Sequence, residues 1–271
     1  MSKIYIVTDM EGVAGINSWE ECSPRKADRL RYEHCRHLLT MEVNAAVKGA
    51  LEGGAQDVVV IDGHGGGMNF IPGELVAGAR YILGRRKPKP LMGLSSDFDG
   101  MILLGYHPMQ GTPEALLAHT QNPAEWKGYF VNGRETGEIG QCLMIAGHHN
   151  VPLWLITGGA AACSEAKDFV GDDLPVLVVK QDLSYESSLS LAPEEACEKI
   201  KQTVCRVVSS PPKTRPYLVE KPIKIRLEFN RKLFADGSGI SPEYRIDETT
   251  FEIEVQQQDQ TLPRSWPGFA G

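Results

Sequence analysis

Two carboxylates, Asp9 and Glu11, stand at the end of an apolar segment near the start of the 271-residue chain. Residues 3–8 are rich in strand-forming types, and Gly12 follows the second carboxylate. In an extended chain, residues i and i+2 project to the same side, so the two carboxylates would converge on one point. Because such groups repel each other unless a positive charge lies between them, this pair predicts a metal site.

Two histidines occupy the same kind of position farther along the chain. His64 lies two residues beyond the apolar run 58–62, and His107 directly follows the run 101–106. In open α/β sheets, ligands bind outside the carboxyl ends of the strands. Taken singly, a histidine after a strand is more often a hydrogen-bonded structural residue, and an aspartate there is often a turn former or a helix cap. Their coincidence at three strand ends favours a shared metal site.

The apolar pattern also predicts the elements that must bring these residues together. Strands with both faces covered are predicted at 3–8, 58–62, 101–106, 152–157 and 176–180. Helices are predicted at 27–52, 137–148 and 192–208. This alternation indicates an α/β fold with a mostly parallel sheet flanked by helices. Residues 75–83 fit either a short helix or an edge strand.

The end of the chain follows a different pattern. A Ser- and Pro-rich stretch at 209–216 marks a boundary, after which 223–229 and 251–255 alternate apolar and charged residues. We therefore predict an α/β metal-binding catalytic domain at 1–208 and a smaller α+β lobe, antiparallel in its strands, at 217–271. Within the first domain, Asn132-Gly133 predicts the turn of a hairpin. The tail at 256–271 would be loose or docked on a neighbour.

Composition excludes several classes of protein. The net charge of −7 argues against a nucleic-acid partner, because phosphate binding requires clustered Lys and Arg. The six cysteines show neither a Cys-x-x-Cys pair nor a regular disulfide spacing, so we expect free thiols in a reducing compartment. We see no signal peptide and no apolar run near the roughly 20 residues that a membrane helix needs. These features predict a cytoplasmic protein without a membrane partner.

Five short motifs occur in the order found in a known family of enzymes. They are Thr8-Asp9-Met10-Glu11-Gly12, Asp62-Gly63-His64, Gly105-Tyr106-His107, the segment from Thr112-Pro113 to His119, and Gly137-Glu138-Ile139-Gly140. Together they are specific. From residue 3 to about residue 255 the chain resembles the zinc D-aminopeptidases of the DppA type.

The resemblance implies a metallopeptidase acting on short peptides, with two Zn²⁺ ions per subunit and Mn²⁺ or Co²⁺ as possible substitutes. Asp9 matches the carboxylate that bridges the two metals, and the other metal ligands match Glu11, His64, His107 and Glu138. The catalytic histidine, proposed as the nucleophile, matches His119. Taken alone, Glu138 would not be chosen as a ligand, because a glutamate near a helix start is well explained by the helix dipole. The family also implies a homo-oligomer, a decamer of two stacked five-membered rings.

Two alternatives remain open from the residues themselves. The same ligand types serve other dinuclear metallohydrolases, such as an amidase or a phosphoesterase. A non-catalytic α/β assembly protein with a structural metal site would also carry this cluster, since a structural site is closed whereas a catalytic one keeps a water position.

Overall fold

The computed structural model describes residues 2–23, 29–85, 87 and 89–269. The strands in chain order are β1 (Ser2–Thr8), β2 (Ala55–Asp62), β3 (Arg80–Ile82), β4 (Gly100–Tyr106), β5 (Trp126–Val131), β6 (Arg134–Glu135), β7 (Leu153–Gly159), β8 (Val176–Ser184), β9 (Ser187–Ser190), β10 (Ile223–Phe229) and β11 (Thr250–Val255). The helices are α1 (Trp19–Cys22), α2 (Arg29–Glu52), α3 (Glu138–His148), α4 (Ala160–Val170), α5 (Pro193–Ser209) and α6 (Lys232–Gly237).

Seven strands form the larger sheet in the order β3-β2-β1-β4-β7-β8-β9. Neighbouring strands run parallel except β8 and β9, which are antiparallel. In β1, Ile4 and Ile6 pack in a core shared with α2 and α5, whereas Tyr5 and Val7 pack on the opposite face in a core shared with α3 and α4. Both faces are buried, which is why this strand appears in the sequence as a continuous apolar run.

The strand order places three candidate segments side by side. β1 lies between β2 and β4, all parallel, so the carboxyl ends of these strands meet at one edge of the sheet. Backbone hydrogen bonds join the segments that leave them: the Asp9 N–H donates to the Leu104 carbonyl at 2.8 Å, and the Gly63 N–H to the Thr8 carbonyl at 3.1 Å. The segments that follow β1, β2 and β4 are therefore held side by side at this edge.

The smaller sheet is antiparallel, in the order β11-β10-β5-β6. Asn132 and Gly133 join β5 to β6 with φ of 49° and 81°, as expected of the predicted Asn-Gly turn. The fold class predicted from the sequence is confirmed. Two strands of this sheet precede the boundary at 209–216, so it is built from both sides of that stretch; the division into 1–208 and 217–271 stays a prediction.

Several details differ from the sequence pattern or go beyond it. Residues 75–83 contain the edge strand β3. Helix α4, which was not predicted, follows β7 directly through Gly159, without a turn that would mark its start. The start predicted for the first long helix, residue 27, lies outside the described residues, as do residues 270 and 271 of the tail.

The described part of the tail docks on this chain itself. Trp266 is 3% exposed and packs in the core of the smaller sheet. All six cysteines are free thiols, as predicted. Within the described residues, every helix is too short or too polar to cross a bilayer.

Candidate metal centre

The five predicted metal ligands converge at the carboxyl edge of the larger sheet. Asp9 and Glu11 leave β1, His64 and His107 follow β2 and β4, and Glu138 is the first residue of α3. His64 Nδ1 lies 2.9 Å from Asp9 Oδ1 and 3.1 Å from Glu11 Oε2. His107 Nε2 lies 3.2 Å from Asp9 Oδ2 and 3.6 Å from Glu138 Oε1. Their role as metal ligands stays a prediction.

Asp9 stands between two groups of donors. One of its carboxylate oxygens faces His64, on the side of Glu11, and the other faces His107, on the side of Glu138. A carboxylate in this position can offer one oxygen to each of two cations. The geometry therefore matches the bridging position that the resemblance implied for Asp9.

Each of the three imidazoles has one ring nitrogen tied to a backbone carbonyl. His64 Nε2 lies 2.7 Å from the Cys22 oxygen, His107 Nδ1 2.9 Å from that of Pro108, and His119 Nδ1 2.8 Å from that of Leu117. Because a carbonyl only accepts, the nitrogen facing it carries the proton. In the neutral ring the other nitrogen has the lone pair, and it faces the carboxylates, the arrangement that orients metal-binding histidines.

The electrostatics of the cluster favour a cation. Burial raises the pKa of Asp9, but the His107 and His64 imidazoles beside its oxygens outweigh burial and hold this pKa well below its usual range. Burial likewise opposes ionisation of Glu138, yet His107 lowers the pKa of Glu138 to about 2. Burial lowers the pKa of His64 and His107, but the surrounding carboxylates raise both well above the ordinary value. Carboxylates that stabilise positive charge on imidazoles also stabilise a metal cation.

Buried atoms that lack a good hydrogen bond mark where a cation fits. Within the described residues, both carboxylate oxygens of Glu11 and the Nε2 atom of His107 are buried without a hydrogen bond of good geometry, and their close contacts are other proposed ligands: Glu11 Oε2 lies 3.1 Å from His64 Nδ1, and His107 Nε2 lies 3.2 Å from Asp9 Oδ2. Leaving such atoms unpaired is costly, since their interactions with water are lost. Two imidazoles and three carboxylates form a donor set that suits zinc. The residues present therefore fit the implied metal.

His119 joins this cluster from the connection between β4 and β5. Its ring stacks on that of His107 with centroids 3.9 Å apart, and the Trp19 ring meets it edge-on at 4.8 Å. Burial and the charge of His107 lower the pKa of His119. Its Nε2 lies 3.6 Å from Glu138 Oε1, too far for a hydrogen bond. A neutral imidazole with an available lone pair thus faces the carboxylates.

Three residues near the site were not singled out from the sequence. Lys180 and Glu42 are buried and contact the segment after β1, and Trp19 contacts His119. A signal existed for the first two: Lys180 ends the apolar run 176–180 within β8, and Glu42 is among the buried residues of α2. A charged residue at a core position is rarely without a partner.

Comparison with known proteins now adds the family. The sequence pattern of peptidase family M55, described as D-aminopeptidase, matches residues 2–263. The chain belongs to this family of D-aminopeptidases. A D-aminopeptidase from Bacillus subtilis (strain 168) is 26% identical over 258 residues, covering 95% of this chain and 92% of the relative.

A solved structure of a D-aminopeptidase shows the same architecture. The Zn-dependent D-aminopeptidase DppA from Bacillus subtilis, described as a self-compartmentalizing protease, superposes with a TM-score of 0.88 at 25% sequence identity. The match covers 96% of this chain and 93% of that one. The predicted resemblance is confirmed, and with it the predicted enzyme class, a metal-dependent aminopeptidase.

Proposed function

We propose that this M55 member is a dinuclear zinc aminopeptidase that releases the N-terminal residue, a D-amino acid, from short peptides. One observation carries the proposal: one oxygen of Asp9 faces His64 and the other faces His107 beside Glu138, while Glu11 lies 3.1 Å from His64 Nδ1 and also groups with Asp9 and His107 within 4.8 Å. Two cations would share Asp9, with the donors beside each oxygen completing one subsite. The Zn-dependence of the Bacillus subtilis structure supports zinc as the metal.

When bound, two zinc ions would lower the pKa of a shared water and polarise the scissile carbonyl. The protein has to hold five ligands for this purpose and keep their protonation states fixed. The backbone carbonyls of Cys22 and Pro108 do so for the two histidine ligands. The Gln121 N–H, which donates to Glu138 Oε1 at 2.7 Å, orients that carboxylate.

His119 is the residue that we assign to proton transfer or nucleophilic attack. The hydrogen bond from its Nδ1–H to Leu117 leaves Nε2 as the basic nitrogen, and burial keeps the ring neutral near pH 7. Packing between His107 and Trp19 fixes the plane of its ring. Its position beside Glu138 places this base next to the proposed metal pair.

We extend the proposal to assembly. The relative described as self-compartmentalizing supports a homo-oligomer, and the family resemblance supports a decamer of two five-membered rings. In such a ring the active sites would face an internal space that admits short peptides. A cytoplasmic location stays a prediction.

A His119→Gln variant tests the assignment. The substitution removes the basic nitrogen and leaves the five proposed ligands unchanged. We expect kcat on D-alanine p-nitroanilide to fall by about 10²- to 10⁴-fold, the usual contribution of an acid–base group, while two zinc ions per chain are retained by elemental analysis. His34→Gln, at an exposed position on α2, is the matched control and should keep wild-type kcat.

The same assays separate the alternatives. If His119→Gln lost a zinc ion, His119 would be a ligand, an arrangement that its grouping with His107 and Glu138 also allows. Wild-type enzyme that cleaves p-nitrophenyl phosphate but neither D- nor L-alanine p-nitroanilide would refute the peptidase assignment. Preference for the L-substrate would refute the proposed handedness.

A further inference from the structure

A fully buried lysine binds the backbone of the segment that follows β1 and carries two proposed metal ligands. Lys180, on β8, is 2% exposed, and its ammonium group donates hydrogen bonds to the backbone carbonyls of Glu11 at 2.6 Å, Val13 at 2.9 Å and Ile16. An ammonium group has three N–H donors, so all of them are used. The lysine therefore acts on the main chain and does not reach the reacting atoms.

The segment held by Lys180 carries two of the proposed ligands, Asp9 and Glu11. Three of its carbonyls turn toward one point, where their negative ends would repel each other without a cation. The same segment is held from another direction by Glu42 of α2, which accepts from the Ala14 N–H at 2.9 Å. Burying a lysine is costly unless it is fully hydrogen-bonded, so its position fixes this loop conformation strongly.

Glu11 depends on this main-chain support more than the other carboxylates do. Asp9 Oδ1 accepts a hydrogen bond from the Met10 N–H at 2.9 Å, and Glu138 Oε1 accepts one from Gln121. Within the described residues, by contrast, Glu11 accepts no such main-chain hydrogen bond, and its close contact is His64 Nδ1, 3.1 Å from Oε2, which is itself a proposed ligand and so does not position Glu11 independently. The orientation of Glu11 is therefore set by packing and by its backbone, whose carbonyl is bound to Lys180.

We propose that Lys180 is a positioning residue for the zinc subsite formed by Asp9, Glu11 and His64, and that it sets the zinc affinity of this subsite selectively. This inference rests on the proposed dinuclear function. It predicts unequal effects on the two metals: the subsite with His107 and Glu138 is supported by Pro108 and Gln121, and neither contact involves Lys180.

Asp182 supplies a comparison on the same strand. Its carboxylate accepts from the Leu116 N–H at 2.9 Å and the Ala161 N–H at 3.0 Å, so it supports the connection that carries His119. The two hydrogen bonds of Asp182 go to segments other than the one that Lys180 holds, although its charge lies near the Lys180 ammonium group. Asp182→Asn is therefore the matched control for a general effect of altering this strand.

The experiment measures zinc binding directly, by competition with a chromophoric chelator and by elemental analysis. In Lys180→Met we expect one of the two zinc ions to bind about 10- to 100-fold more weakly, the range typical of groups that support metal ligands, with the other unchanged. Asp182→Asn should bind both ions as the wild type does. Lys180→Met with two ions at wild-type affinity, or Asp182→Asn with the same selective loss, would overturn the inference.

A double variant covers the case in which Lys180→Met does not fold. Removing a buried cation leaves nearby carboxylates uncompensated, whereas replacing both charges is often neutral for stability. Lys180→Met with Glu42→Gln removes the ammonium group and one buried carboxylate, and the glutamine can still accept from Ala14. We expect the same selective loss of one zinc ion.

Two results lead to different conclusions. If the double variant also fails to fold, the inference is overturned, because Lys180 then supports the whole fold and not one subsite. Wild-type protein that binds fewer than two zinc ions refutes the proposed dinuclear function instead, so the two failures are distinguishable.

Discussion

Gly12 offers a sharp test of how closely the segments of the metal centre are packed. It follows the ligand Glu11, and its N–H donates to the Gly105 carbonyl at 2.8 Å. A Cβ added at this position would lie 2.1 Å from the Tyr106 oxygen and 2.5 Å from the Tyr106 nitrogen. These are backbone atoms of the strand that delivers His107, so no side-chain rotation relieves the contact.

The size of the displacement follows from this distance. An ordinary carbon–oxygen contact is about 3.3 Å, so Gly12→Ala must move the two segments apart by about 1.2 Å from the 2.1 Å contact. Zinc–ligand distances tolerate only about 0.2 Å. We therefore expect zinc to be lost. Loss of the Gly12–Gly105 hydrogen bond and overpacking together should lower the free energy of unfolding by about 2–4 kcal/mol. This loss lowers Tm by on the order of 10 °C.

Elemental analysis and thermal unfolding of zinc-loaded protein check this expectation. Gly65→Ala is the control: it lies beside the ligand His64, and an added Cβ there meets nothing within 4 Å. It should keep two zinc ions and the wild-type Tm. If Gly12→Ala bound two zinc ions with a Tm within 1 °C of wild type, our account of how Glu11 and His107 are held together would be wrong.

Two further predictions concern residues outside the metal centre. Burial raises the pKa of Glu42 from 4.5 to about 7, against the opposing effects of the Ala14 N–H and Lys180. The folded state therefore favours the protonated carboxyl. The stability that this group contributes is fully present below pH 4.5 and is lost as the pH rises through 7. In urea unfolding of zinc-free protein, Glu42→Gln should gain up to about 3 kcal/mol relative to wild type between pH 4.5 and pH 8, and a constant difference would contradict this. Trp266→Ala should cost about 3–5 kcal/mol of unfolding free energy with zinc content unchanged, because the ring fills the core of the smaller sheet. A cost below about 1 kcal/mol would mean that the tail is not docked in solution.

The sequence was most informative where one local rule sufficed. β1, β2 and β4 are each buried on both faces, so their apolar runs were readable without knowledge of the partners. The i, i+2 spacing of Asp9 and Glu11, together with the rule that ligands bind at the carboxyl ends of parallel strands, predicted where the site lies. The meeting of His64 and His107 with Asp9 followed from the strand order.

The groups that support the ligands could not be predicted in this way. Lys180 is 169 residues from Glu11 in sequence, and its partner is a backbone carbonyl, which every residue type possesses. No pattern of side chains in the sequence predicts a hydrogen bond between a lysine and a distant backbone carbonyl. Glu42 and the Ala14 N–H are 28 residues apart and pose the same difficulty. Helix α4 was missed for a different reason, because it begins directly after a strand with neither a side-chain cap nor a turn.

Glu138 shows that a structural explanation and a functional one can hold for the same residue. The charge of a carboxylate in the first turn of a helix is stabilised by the helix dipole, and the sequence alone gave no reason to look further. In the structure, β5 and β6 lead through Thr136 and Gly137 into α3 and place that helix start against His107. There His107 lowers the pKa of Glu138 and keeps this carboxylate ionised where a cation needs it. The smaller sheet thus supports the metal centre, because it fixes the position of Glu138, the one proposed ligand that does not follow β1, β2 or β4.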